Sequence, residues 1–106
     1  MGRLNVQSAI DDLIAATNDS MWQVQEKAAE ALGKIGSTQA IAALRSCLDN
    51  PISNLRKAAV AALGEIAHPD CMDLIDIALN DNDPDVRKLA RWAKDQVEAS
   101  ISAEGE

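Results

Sequence analysis

Apolar residues along this chain fall three and four positions apart, and the pattern returns every thirty-one residues. Ile10, Leu13 and Thr17 are matched by Ile41, Leu44 and Leu48, and then by Met72, Ile75 and Leu79. Spacings of three and four place each set on one helical face. A second set, Val24, Ala28, Ala31, Leu32 and Ile35, is matched by Leu55, Ala59, Ala62, Leu63 and Ile66, and a worn third copy runs from Val86 to Val97. Asp19, Asn50 and Asp81 close the first segment of each copy. The pattern predicts six helices, paired as 9–19 with 21–36, 40–50 with 53–67 and 71–81 with 84–98, and no strand. A fixed period in this range is the signature of stacked repeats. A two-helix unit cannot bury its apolar face alone, so stacking makes the core and leaves a long surface for binding. The expected fold is all-α, with three two-helix repeats of period 31 over 9–37, 38–68 and 69–98. Residues 1–8 are expected as a lead-in, and 99–106, which lack apolar periodicity, as a frayed tail.

Punctuation supports these boundaries. Asp83-Pro84 reads as an N-cap followed by proline at the first helical position, where its missing N–H costs nothing. Gly36 stands where a left-handed helix stop is needed, and His68-Pro69 marks the same stop one repeat later. Ala28, Ala59 and Ala90, with Ala31, Ala62 and Ala93, form two columns of small residues. Gly33 and Gly64 fall in mid-helix, where each costs about 1 kcal/mol relative to alanine. Their recurrence predicts close backbone approach between neighbouring helices. The third copy has Lys94 and Asp95 where the others have Leu and Gly, which reads as a terminal cap facing water.

The string Leu55-Arg56-Lys57-Ala58-Ala59-Val60-Ala61-Ala62-Leu63-Gly64-Glu65-Ile66 and its two copies resemble the HEAT-like repeats named after phycobilisome lyases, over about 9–98. The resemblance implies a right-handed α-solenoid whose second helices line a concave, partner-binding face and whose first helices form the convex back. The arginine of the family pattern is present as Arg56 and Arg87 and is Gln25 in the first copy. The aspartate that starts the second helix is Asp83, with Met21 and Ile52 in its place earlier.

A content of 47% apolar and 25% charged residues is that of a globular chain. There is no Phe or Tyr and there are 2 Trp, so alanine and leucine-type side chains must build the core. The net charge of −7 argues against nucleic acid, whose binding rests on Lys and Arg at phosphates, and against anionic membrane. Residues 8–20, 37–52 and 68–83 carry −3, 0 and −5, whereas 21–36, 53–67 and 84–98 carry 0, +1 and +1. The first-helix layer is therefore acidic and the second-helix layer balanced. No apolar run reaches the length of a membrane span and no signal peptide is visible. Cys47 and Cys71 fall where other copies have alanine, so they read as small buried residues in a reducing, cytoplasmic setting.

Chemistry is sparse. His68 is the single histidine, and a metal site needs several ligands at fixed spacing. Asp70, Asp73 and Asp76 share one outward face, as acidic residues near a helix N-terminus ordinarily do. No phosphate loop or nucleophilic set is present, so the chain is read as non-enzymatic, with no cofactor. The resemblance assigns the binding face to positions that vary between copies. Those expected to carry binding are Trp22, Glu30, Lys57, Ala58, Ala61, Lys88, Leu89 and Trp92; Gln23, Glu26, Lys27, Lys34, Asp85 and Gln96 are among the others. Trp92 and Trp22 read either as interface anchors or as lids that seal the small-residue columns. The leading reading is a non-catalytic module that binds another protein or a peptide. The resemblance also implies an accessory or subunit of a tetrapyrrole-chromophore lyase system. A third reading is self-assembly through extra apolar residues at Ile14 or at Leu74 and Ile77; otherwise these pack under Leu4, Val6 and Ile101 at the two ends.

Overall fold

The second helices of the three repeats pack side by side, and each first helix lies against its own second helix. In a computed structural model, the structure describes residues 2–105, with side chains over 6–103; Leu4 lies outside the described side chains. The six helices are α1 (Gly2–Ala16), α2 (Trp22–Ile35), α3 (Ile41–Leu48), α4 (Ser53–Ile66), α5 (Met72–Ala78) and α6 (Pro84–Gly105). No strand occurs among the described residues. The result is a helical solenoid in the form of a slab measuring 38 × 35 × 15 Å. Its thickness is that of two helix layers about 8–10 Å apart, axis to axis.

Both ends of the chain differ from expectation. Residues 2–8 are the start of α1, because nothing in that stretch breaks a helix and the Gln7 amide ties it to Asp11 (3.0 Å) and to Gln39 of the second repeat (2.9 Å). Residues 99–105 are helix too, not a frayed tail. The repeat register places Glu98 where Gly36 and Ala67 make their left-handed stops, and here the helix runs on through it. The Ser100 hydroxyl also donates to the Ala67 carbonyl (2.8 Å), holding the extension against α4. Single 3₁₀ turns, Thr38–Ala40 and Pro69–Cys71, lead into α3 and α5. They are capped alike, by Ser37 Oγ accepting the Gln39 amide and His68 Nδ1 accepting the Asp70 amide.

The turn within each repeat is built three times from the same part. Asp19, Asn50 and Asp81 each accept, through Oδ1, the backbone amide two residues on, at 2.9, 2.9 and 2.8 Å. Such Asx turns explain the spacing of these residues. Arg56 and Arg87 reach back from the second helix to the carbonyls of Asn50 (2.9 Å) and Asp81 (2.7 Å). In the first repeat the Gln25 amide serves in their place, donating to the Thr17 carbonyl (3.0 Å). Arg56 also crosses to the next repeat, with Nε 2.9 Å from Asp81 Oδ2 and Nη2 3.2 Å from Oδ1. Burial pushes the Asp81 carboxyl up. The Arg56 hydrogen bonds, the Asp83 amide and the charges of Arg56 and Arg87 outweigh it and hold the carboxyl below its ordinary value.

The core runs as a continuous column through the stack. Leu32, Leu44, Leu63, Ile75, Ala59, Ala62, Ala90 and Ala93 are fully buried, and Cys47 and Cys71 are buried among them as free thiols. The helix stop one repeat after Gly36 is Ala67, which takes a left-handed conformation (φ 54°) and donates its amide to the Leu63 carbonyl (2.9 Å). The stop thus falls one residue before His68-Pro69. A Cβ built on Gly33 would lie 2.7 Å from Ala62 Cα, which is backbone-to-backbone contact between α2 and α4.

Three outcomes follow for chemical denaturation. Gly33→Ala is expected to cost about 1–2 kcal/mol net, because overpacking against backbone exceeds the gain in helix propensity; equal or greater stability would contradict the close approach. Ala67→Gly is expected to stabilise by about 0.5–1 kcal/mol, relieving an alanine in the left-handed region. Asp81 has a folded pKa below its unfolded one. Its contribution is therefore complete above the usual carboxylate pKa of about 3.9 and is lost as pH falls through the lower folded value. Asp81→Asn is expected to flatten that acid limb in a stability-versus-pH profile, and an unchanged limb would exclude the role.

Candidate functional site

On the second-helix face, α4 and α6 enclose an open groove of about 430 Å³ lined by Lys57, Asp85, Lys88, Leu89 and Trp92. Positions 85, 88, 89 and 92 lie three and four apart on α6, so one helical face presents all of them. Lys57 stands one repeat before Lys88 on the neighbouring helix. Four residues expected from sequence, Lys57, Lys88, Leu89 and Trp92, are thus brought together. Asp85 joins them although it was not among those expected to carry binding; its spacing from Lys88 and Leu89 was the available signal.

Trp92 packs down on α4 and also reaches solvent. A Cβ built on Gly64 would collide with Trp92 Cζ3 and lie 2.9 Å from Cε3 and 3.0 Å from Cη2. The indole therefore lies against Gly64 and fills the space that a side chain there would need. It nevertheless remains 40% exposed. One part of the ring seals the α4–α6 contact and the rest forms a wall of the groove. At the equivalent Gly33 the covering group is the Glu65 carboxylate, whose Oε1 would lie 2.5 Å from a Cβ.

The remaining expected residues sit elsewhere. Ala58 is buried, only 8% exposed, and belongs to the core. Its methyl group is too short to reach the surface of a helix flanked on both sides, although its register partner Lys27 is exposed at the array's end. Ala61 is half-buried on α4, the helix that contributes Lys57. Trp22 and Glu30, both half-buried on α2, do not line the groove; Glu30 lies 3.9 Å from Lys27. Leu74, expected as a possible seam between copies, is buried at 5% exposure, because the α5 face that carries it turns into the core. Ile77 is 53% exposed, and Ile14 is half-buried against the core.

A second groove, which the sequence did not suggest, lies between first helices. It is about 400 Å³, lined by Thr38, Ile41, Ala42, Arg45, Asp70, Asp73 and Leu74. Among the described residues no group of three His, Cys, Asp or Glu is close enough to hold a metal ion. Burial pushes both thiols above their ordinary pKa, which disfavours the nucleophilic thiolate. Among the described residues no helix is long and apolar enough to cross a membrane.

Comparison with known proteins agrees with this architecture. Residues 1–54 match the family model of HEAT repeats, and residues 55–81 match that of the PBS lyase HEAT-like repeat. The chain is also similar to the phycocyanobilin lyase subunit alpha of Synechococcus elongatus, at 40% identity over 58 residues. That match covers 55% of this chain but only 21% of the relative's length. With the period-31 register, the six-helix solenoid and a family model spanning half of its residues, the chain belongs to the HEAT repeat family.

Proposed function

We propose that this chain is a non-catalytic binding module that holds another protein or a peptide on its second-helix face, with Trp92 as the anchor. The observation that carries the reading is the half-open indole, pinned on Gly64 and forming one wall of a groove shared by two repeats. A rigid aromatic held by its neighbours offers a partner large apolar area at little entropic cost, together with an N–H donor. Lys57 and Lys88 supply charged rim groups, and Leu89 extends the apolar floor. The chain's reactive side chains are committed elsewhere: His68 caps a turn, and both cysteines are buried as thiols.

A second reading is favoured by the similarity to a phycocyanobilin lyase subunit: the module works as an accessory within a tetrapyrrole-chromophore lyase system. The two are compatible, since a subunit of such a system still needs a face that grips protein. An absorbance scan of the purified chain mixed with free phycocyanobilin tests the second reading directly. A visible-band shift that saturates at one pigment per chain supports it, and an unchanged spectrum counts against direct pigment handling.

For the leading reading, Trp92→Ala is expected to weaken binding of a partner recovered by affinity capture by at least about 2 kcal/mol, roughly thirtyfold in Kd. Asp73→Ala and Asp76→Ala on the first-helix layer are expected to change it by less than about 0.5 kcal/mol. Thermal melts of each variant separate lost binding from lost folding. Normal binding by Trp92→Ala with loss in the two aspartate variants would move the working surface to the opposite side.

A further inference from the structure

We propose that the groove on the second-helix face takes an acidic segment of a partner protein, with a carboxylate between Lys57 and Lys88 and a large apolar side chain on Trp92. This rests on the reading of that face as the binding surface and adds the chemistry of what it binds. Lys57 is the register equivalent of Lys88, so the two stand at one level on neighbouring parallel helices, whose axes lie about 8–10 Å apart. In the first repeat the same column holds Glu26, and the column of Trp92 holds Glu30 and then Ala61. The lysine column thus changes sign, from Glu to Lys, in the two repeats that share the groove.

Neither ammonium group is neutralised within the chain. Among the described residues the ion pairs are Lys27 with Glu30, Arg56 with Asp81 and His68 with Asp70; Lys57 and Lys88 form none. Acidic residues outnumber basic ones by 17 to 10, so this is not for want of carboxylates in the sequence. The acidic excess belongs to the first-helix layer, on the far side of a slab 15 Å thick. The Debye length at physiological ionic strength is about 8 Å, so those charges are largely screened at the groove. The local charges decide what enters, and two lysines outweigh the single Asp85.

Spacing along α6 sets the order of groups that a bound segment must present. Trp92 lies four residues past Lys88, about 6 Å along the helix, and Asp85 three residues before it, about 4.5 Å the other way. Leu89, half-buried, lies between the lysine level and the indole. The segment therefore carries an acidic and a large apolar residue about 6 Å apart, which is two positions of an extended chain or one turn of a helix. Asp85 repels a further carboxylate beyond the lysines, so the flank away from the apolar residue is neutral or basic. Nucleic acid fits poorly, because two lysines beside an aspartate neutralise too few phosphates. No arginine lines the groove, and phosphopeptides are characteristically gripped by arginine clusters. A carboxylate is satisfied by a lysine point charge.

The test is selection of random linear peptides displayed on phage against the purified chain, followed by fluorescence anisotropy of a selected peptide. The enriched peptides are expected to carry Asp or Glu at that spacing from Leu, Ile, Phe or Trp, and to bind less tightly as sodium chloride is raised. Lys57→Glu combined with Lys88→Glu is expected to weaken such a peptide by at least about a hundredfold, since like charges then meet. Selection repeated on that double variant is expected to enrich Lys or Arg in place of the acidic residue, an exchange of charge that lost folding cannot produce. Neutral or basic peptides that lose binding in Trp92→Ala would overturn this proposal and leave the second-helix binding surface standing. So would acidic peptides whose charge preference survives the double substitution. Peptides that bind Trp92→Ala as well as they bind the wild type, or no enrichment at all, would overturn both.

Discussion

Helices α2, α4 and α6 lie side by side with a glycine, Gly33 or Gly64, at each closest approach. Gly33 meets the backbone of Ala62, Gly64 meets the indole of Trp92, and the alanine columns at 28, 59 and 90 and at 31, 62 and 93 run between these points. Each glycine weakens its own helix by about 1 kcal/mol relative to alanine, so its place is explained by packing and not by propensity. Because the second helices touch one another directly, their outer faces merge into one surface, and residues of α4 and α6 line a common groove.

The turns hold this packing in register. An Asx turn at the same position in every repeat directs the chain into the second helix, and an arginine or glutamine from that helix reaches back toward the turn. Arg56 does more, because its guanidinium also grips the Asp81 carboxylate that shapes the next turn. One side chain thereby links the turns of the second and third repeats. Gln25, with a neutral and shorter side chain, spans only within its own repeat. The second and third repeats are thus joined by an ion pair as well as by packing, and the groove lies across that pair.

The outer faces of the first and third repeats differ in polarity. In the third repeat Arg91, Lys94 and Asp95 stand where the second has Val60, Leu63 and Gly64, and α6 runs on as a helix with Ser100 bonded to Ala67. At the N-terminal end the apolar columns continue to the surface.

Much of this architecture was legible in the residues. The thirty-one-residue register established the helix count, the pairing of helices and the small-residue columns, because periodicity of apolar positions directly encodes which faces pack. It also singled out Asp19, Asn50 and Asp81, and Gly33 and Gly64, before their contacts were known. Single positions depended on neighbours that a register does not contain. Ala58 is buried although it shares a column with exposed Lys27, because one belongs to a flanked helix and the other to an end. Residues 99–105 carry no apolar rhythm yet are helical, since nothing stops α6. Trp92 was undecided between lid and anchor from sequence, because both roles ask for the same large apolar side chain. Local chemistry and periodicity determined the elements and their order, whereas burial, the shared groove and the half-open indole were decided by which helix stands beside which.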